Sequence, residues 1–300
     1  MNLGRTGAHS SPVTDTSPVF KGEAPPGVPP LKASPIEIVR SLRRYRETVW
    51  LASSGAAGDG FYSVLRYAIR FVRLLVLLSV WDVVFASRDL AGVAALGTVQ
   101  TYTLVAGAFG TFLDARTDLG EAIWDGRIAT WFVAPVPVFG HAIAVMMGRW
   151  APSFGAFTLP VLLAAPLIGV DARPASLVAG MLFVPSLACS VTIGLAVDLL
   201  LASLMVATGW SVWDMQRLRT SFGTLLTGAV IPLAFFPWGL GAVLAWTPLA
   251  AMASAPLRIY TGDGDAWNLM AGQVVWVVVM GGASIAIWSR MRERLVGYGG

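Results

Sequence analysis

Long apolar stretches separated by short polar ones dominate residues 67–288. A membrane span needs about 20 mostly apolar residues. The pattern predicts roughly six: Tyr67 to Phe85, Leu96 to Leu113, Phe139 to Val170, Leu177 to Thr208, Phe222 to Phe236 and Trp267 to Trp288. Pro152, Pro160 and Pro166 interrupt the third. Before the first, Pro35 to Ala52 repeats Ile36, Ile38, Val39, Leu42, Tyr45, Val49 and Trp50 at helical spacing, with arginines between them. That alternation predicts an amphipathic helix lying in the headgroup layer. The alternative is an ordinary cytoplasmic helix. No repeat of fixed period is visible, nor an inverted pair of halves, which argues against a secondary-transporter fold.

One apolar segment breaks the pattern. "GAVIPLAFFPWGLGAVLAWTPLAAMASAPLRIYTG" (Gly228 to Gly262) carries Pro232, Pro237, Pro248 and Pro256. Proline removes a backbone donor and clashes with the preceding turn, so these positions predict bends. Loop arginines set the topology. Arg40, Arg43, Arg44 and Arg46, with Arg66, Arg70 and Arg73 at the start of the first span, then Arg116 and Arg127, Arg217 and Arg219, and Arg290, Arg292 and Arg294 share one side. Only Arg88, Arg173 and Arg258 fall on the other. The positive-inside rule places both termini in the cytoplasm. The last span must then begin outside, so the stretch after Pro237 dips into the outer leaflet and returns, with Trp238 and Trp246 as interfacial anchors. Irregular backbone at that depth needs protein or a water-lined cavity around it.

Composition agrees with a membrane protein. The chain has 300 residues, 56% hydrophobic and 13% charged, with a mean hydropathy of +0.68. Soluble domains carry about 25% charged residues. The net charge is +4, but the arginines flank apolar stretches instead of forming one face, which excludes nucleic-acid binding. Lys21 and Lys32 are the only lysines; with abundant Ala, Gly and Arg this hints at a GC-rich bacterial genome. Residues 1–34 are rich in Ser, Pro, Gly and Thr and read as a disordered cytoplasmic tail. The single cysteine, Cys189, allows no internal disulfide.

Polar residues inside the spans are the next candidates. Asp82, Arg149 and Asp198 fall there, and charges at such depth face protein or water. Arg149 and Asp198 sit at similar predicted depth, so an ion pair is expected between them; Asp82 lies near the outer end of its span. His141 beside a span start reads as an interfacial side chain. The most polar internal stretch is "LDARTDLGEAIWDGRIATWFVAPVPVFGH" (Leu113 to His141). Asp114, Asp118, Glu121 and Asp125 alternate with Arg116 and Arg127, while Ile123, Trp124, Ile128, Trp131 and Phe132 form an apolar side. Thr117 is a candidate cap. Acids and aromatics together on a short surface helix suit docking to a soluble partner; the alternative is a passive connector.

Enzyme signatures are missing from the sequence. There is no H-E-x-x-H, no G-x-S-x-G and no G-x-x-x-x-G-K-[ST], so the chain is not itself a Walker-type ATPase. "GDGD" (Gly262 to Asp265) matches a short intramembrane-protease pattern but reads as a Gly/Asp turn.

Three motifs together carry a resemblance. "G-x-x-I-P-L-x-F-F-P…L…P…P-L-R-I-Y-x-G", the "L-G-x-x-I-W-D-G-R-I…P-V" loop (Leu119 to Val138) and the basic tail "RMRERLVGYGG" are similar to permeases of type-2 ABC exporters, in the branch of six-span subunits. The resemblance covers about residues 36–300. It implies an all-α membrane domain over 35–300, with 35–52 as a connecting helix, 117–132 as a coupling helix on a separate ATPase, and 238–260 as re-entrant extracellular hairpins. Asp118, Glu121, Trp124, Asp125 and Arg127 would form the ATPase-coupling surface. Two permease subunits, identical or related, would join two ATPase subunits that bind ATP and Mg; this chain would bind no cofactor. Branch members are associated with hydrophobic drugs, antibiotics and cationic toxicants. The long N-terminal tail departs from the family pattern. Rival readings are a membrane enzyme or a membrane assembly or scaffold protein without an ATPase partner.

Overall fold

The computed structural model describes residues 35–58, 60–87, 94–133 and 136–298. The expected tail (1–34), Arg88 and the C-terminal Gly-Gly lie outside the described residues, as do the side chains of residues 35–41 and 292–298. Two units divide the chain, Met1–Arg40 and Ser41–Gly300, and every contact below belongs to the second.

Helices are the only regular elements among the described residues. They are α1 (Pro35–Gly58), α2 (Gly60–Ser87), α3 (Leu96–Leu113), the short α4 (Leu119–Trp124) and α5 (Ile128–Val133), α6 (Val138–Ser153), α7 (Leu159–Ala164), α8 (Leu177–Thr208), α9 (Val212–Leu226), α10 (Leu240–Ala245), α11 (Pro248–Thr261) and α12 (Ala266–Tyr298). Local chemistry sets the ends. Ser176, Ser211 and Thr247 each accept a hydrogen bond from the backbone N–H three residues on, capping α8, α9 and α11. Gly209 closes α8 at φ 71°, a left-handed conformation that costs other residues more.

Among the described residues, three helical paths are long and apolar enough to cross a bilayer, Val138–Ile168, Leu177–Thr208 and Ala266–Met291, or four if the bent pair Pro237–Ala245 and Pro248–Thr261 is one span. The first contains the three prolines expected to interrupt it. It continues through them because a five-residue π-helical segment, Phe154–Thr158, links α6 to α7. Its wider turn returns the Leu159 N–H to the Phe154 carbonyl just before Pro160, which has no N–H to give. The helix α2 is 28 residues long but carries Arg66, Arg70, Arg73 and Asp82.

The expected fifth span, Phe222 to Phe236, is not a helix as predicted. The helix there is α9, which starts ten residues earlier and stops at Leu226; residues 227–232 are irregular and 233–235 form one 3-10 turn. Gly228 at φ 76°, followed by Pro232, ends the hydrogen-bond ladder. Pro237 and Pro248 begin elements, as bends require, whereas Pro256 lies inside α11 and does not end it. Trp238 takes a positive φ of 56°.

Together α10 and α11 form a bent pair with 92° between its limbs. The C-terminal end of α11 is fixed by the loop before α8: the Ala175 N–H donates to the Tyr260 carbonyl at 2.9 Å, and the Tyr260 hydroxyl donates to the Ala172 carbonyl at 2.5 Å. Its first turn is level with Gln273, whose side-chain amide donates to the Ala251 carbonyl at 2.8 Å. Gln273 is seven residues into α12, about 10 Å along its axis. The same side chain accepts from the Ser186 hydroxyl at 2.6 Å, and it is fully buried. Small residues make this possible: Ala250, Ala251, Ala253, Ser254 and Ala255 are all buried between α8, α3 and α12.

Gly148 lets α1 approach α6. A Cβ there would collide with the Val49 carbonyl oxygen, and one at Gly140 would meet the Tyr45 hydroxyl.

Candidate functional site

The turn leaving α3 and the short helices α4 and α5 sit where α8 meets α9. The packing is apolar: Leu119, Ala122 and Ile128 bury against Leu199 and Ala202 of α8, and Ile123 packs on Met205, Val212 and Met215. A loop of this polarity needs more than apolar contact to hold one orientation, and a buried guanidinium supplies it.

Arg219 of α9 points into the base of the bundle, its side chain only 6% exposed. It reaches the Asp198 carboxylate on α8 at 2.7 Å and the Asp114 carboxylate at 3.2 Å, and donates to the backbone carbonyls of Ala115 at 2.6 Å and Gly194 at 3.3 Å. The second Asp198 oxygen accepts from the Thr117 N–H at 3.0 Å and from the Thr117 hydroxyl. Asp114 also holds Arg116 at 2.7 Å. Buried charges are tolerated when paired and fully hydrogen-bonded, and this network meets both conditions. It ties four segments together: the end of α3, the start of α4, α8 and α9.

The expected ion pair between Arg149 and Asp198 does not form. Arg149 takes Asp118 at 2.6 Å, and Asp198 takes Arg219. Equal depth was the wrong criterion, because Arg149 on α6 leans toward the loop. Asp82 accepts from the Gln100 amide at 2.8 Å, linking the C-terminal end of α2 to the N-terminal end of α3.

The remaining loop residues divide by what they touch. Glu121 accepts from Gln216 of α9 at 2.9 Å. Asp125 and Arg127 pair with each other at 2.6 Å across Gly126 and lie exposed. The Arg127 hydrogen bond holds the Asp125 carboxyl below the usual carboxylate range, and the Arg127 guanidinium rises in return, so both are charged at neutral pH. Trp124 is 54% exposed at the end of α4. The rim thus presents two aromatic rings, Trp124 and Phe132, and one closed ion pair, while Asp118 and Glu121 are engaged within the chain. Thr117 accepts from the Leu119 N–H at 3.3 Å while bound to Asp198. His141 packs its ring against Trp131.

Sequence reasoning missed the centre of the network. Arg219 read only as a topology marker and Asp114 only as a loop acid. A usable signal existed: Asp198 and Arg219 each lie about ten residues from the turn at Gly209, so an α8–α9 hairpin places them opposite one another.

In the Gly262–Asp265 turn, Asp263 pairs with Arg258 at 3.0 Å and Asp265 accepts from the Trp267 N–H at 3.0 Å. The two carboxylates serve separate partners at the ends of α11 and α12.

A family model described as ABC-2 family transporter protein matches residues 69–299. Comparison with the curated proteins gave no match.

Proposed function

The chain belongs to the ABC-2 family of transporter proteins, and from that premise we propose that it is the permease subunit of an ATP-driven exporter. It works with a separate ATPase and a second permease, identical or related. It moves a hydrophobic or amphiphilic substrate out of a bacterial cell across the inner membrane. Both termini face the cytoplasm. Six crossings are α2, α3, the path 138–168, α8, the segment from α9 to Phe236, and α12. The tail 1–34 is cytoplasmic.

One observation carries this reading: a short loop helix with an exposed Trp124 and Asp125–Arg127 pair is bolted to two long helices through Arg219. A passive connector has no need of a buried guanidinium with two carboxylate partners. Here α4 and α5 seat on the ATPase. Closure of the ATPases around ATP pushes the loop, and the Arg219 network passes the displacement to α8 and α9 as one body. The segment after α9 leads to α10 and α11, which we read as a re-entrant lid at the outer face. Support for that comes from the depth of Ala251 beside Gln273 and from the return of α11 to the loop before α8. The lid also borders a cavity of about 600 Å³ lined by Tyr102, Phe235, Arg258 and Asp263. ATP and Mg belong to the partner.

Isolation of the full chain from native membranes in mild detergent, followed by mass spectrometry, tests this reading. A P-loop ATPase should co-purify in equal amount. Recovery of the chain without one, in a preparation that retains other membrane complexes, would favour the assembly or enzyme readings instead.

A further inference from the structure

On α2, Arg66, Arg70 and Arg73 stand at i, i+4 and i+7, one face of a helix. Arg70 reaches inward between α3 and α6, while Arg66 and Arg73 are exposed on either side of it. The Arg70 guanidinium donates to the Gly107 carbonyl of α3 and to the Ser153 hydroxyl of α6, both at 3.4 Å, and lies 4.2 Å from the centre of the Phe157 ring. Arg66 donates to Ser63 at 2.9 Å. None of the three meets a carboxylate among the described residues.

These arginines, with Arg116 and Arg149, line a cavity of about 770 Å³ between α2, α3 and α6. Asp114 is the one carboxylate in its wall, and it is already shared by Arg116 and Arg219. The rest of the wall is apolar, through Leu74, Leu77, Met146 and Trp150. Thr103 lines it too, and its buried hydroxyl has no hydrogen-bond partner. A neighbouring cavity of about 590 Å³ shares Arg66, Arg70 and Arg149.

Gly107 is six residues from the end of α3, about 9 Å along the axis. Uncompensated guanidinium groups at that depth are costly to hold, and such residues mark binding sites or pathways. Guanidinium forks bind phosphate and carboxylate oxygens in pairs. We propose that this cavity binds one anionic amphiphile, its phosphate, sulfate or carboxylate head held by Arg66, Arg70 and Arg73 and its chain laid along Leu74, Leu77, Met146 and Trp150. The proposal narrows the substrate class of the exporter reading and rests on that reading only for the molecule's being cargo. The same head chemistry is carried by a resident membrane phospholipid and by an exported solute.

The test uses the purified full chain in an uncharged detergent, with neither ATP nor ATPase present, so its failure leaves the exporter reading standing. Binding is measured by calorimetry and native mass spectrometry with dodecyl phosphate, dodecyltrimethylammonium and inorganic phosphate. One saturable site for dodecyl phosphate is expected, and raising the salt from about 0.05 to 0.5 M should weaken it. R70Q/R73Q should bind roughly tenfold more weakly or worse, and R173Q, at the other end of the molecule, should bind normally. One phosphatidylglycerol that co-purifies and is displaced by dodecyl phosphate supports the site and identifies a lipid source; a chain that purifies empty and then binds dodecyl phosphate supports it with a solute source. Binding of the cationic probe as tight as the anionic one, wild-type binding indifferent to salt, unchanged binding in R70Q/R73Q, or inorganic phosphate binding as tightly as dodecyl phosphate would each overturn it.

Discussion

Asp198 and Arg219 meet at 2.7 Å, one from each limb of the α8–α9 hairpin, and the same guanidinium reaches back to Asp114 at the end of α3. This contact turns a surface loop into a part of the helix bundle. The loop cannot move without α8 and α9, because the Thr117 N–H and hydroxyl are held by the far side of the Asp198 carboxylate.

Removing the guanidinium should cost more than removing either acid. R219L leaves buried Asp198 without its cation, while Asp114 keeps Arg116, and should destabilise the chain by about 3–5 kcal/mol, the range for breaking a buried pair. D198N should cost less, since Arg219 keeps Asp114 and two carbonyls. Thermal unfolding in detergent reads both. In double-mutant cycles Asp198 should couple to Arg219 and be additive with Arg149.

The exposed rim should separate coupling from folding. Trp124→Ala, and separately Asp125→Lys, should abolish ATP-driven transport and permease-stimulated ATP hydrolysis, while the unfolding midpoint shifts little. Exposed positions of this kind change stability by only about 0.5 kcal/mol. Transport at the wild-type rate in the charge-reversed variant would remove the loop from the ATPase interface.

A thiol label locates the bent pair. Trp246 is exposed between α10 and α11. With Cys189 replaced by Ala, W246C should react with a membrane-impermeant maleimide added outside intact cells and be protected from one confined to the cytoplasm. Labelling from the cytoplasmic side alone would mean that the pair crosses.

Gln273 should be required for the seat of α11. Gln273→Leu leaves the Ala251 carbonyl and the Ser186 hydroxyl without their partner. The expected loss is about 1–3 kcal/mol, the penalty for buried polar groups left unpaired, measured as a lower unfolding midpoint together with greater reactivity at W246C.

Gly148→Val drives a side chain into the Val49 carbonyl of α1. Overpacking of this kind costs about 1–3 kcal/mol. Because α1 is the element that can yield, trypsin should cut faster at Arg43 and Arg44.

By itself the chain determined whatever depends on neighbours in sequence. Runs of apolar residues announced a membrane protein, Pro237 and Pro248 announced bends, and the motifs carried the family, because hydropathy and turn chemistry are local. Partner choice is not local. Depth along a span is a single coordinate, and it matched Arg149 with Asp198. Only the tertiary structure supplied the rotation and crossing of the helices that send Arg149 to Asp118 and bring Arg219 to Asp198. The same holds for α2, whose arginines read as topology markers until the packing of α3 and α6 took Arg70 between them and set all three along one cavity. It holds for α11 too, where small residues decided which helices surround a segment expected only to dip and return, and buried it against Gln273. Each of these outcomes was decided by which faces meet, a property of the assembled bundle and of no single segment.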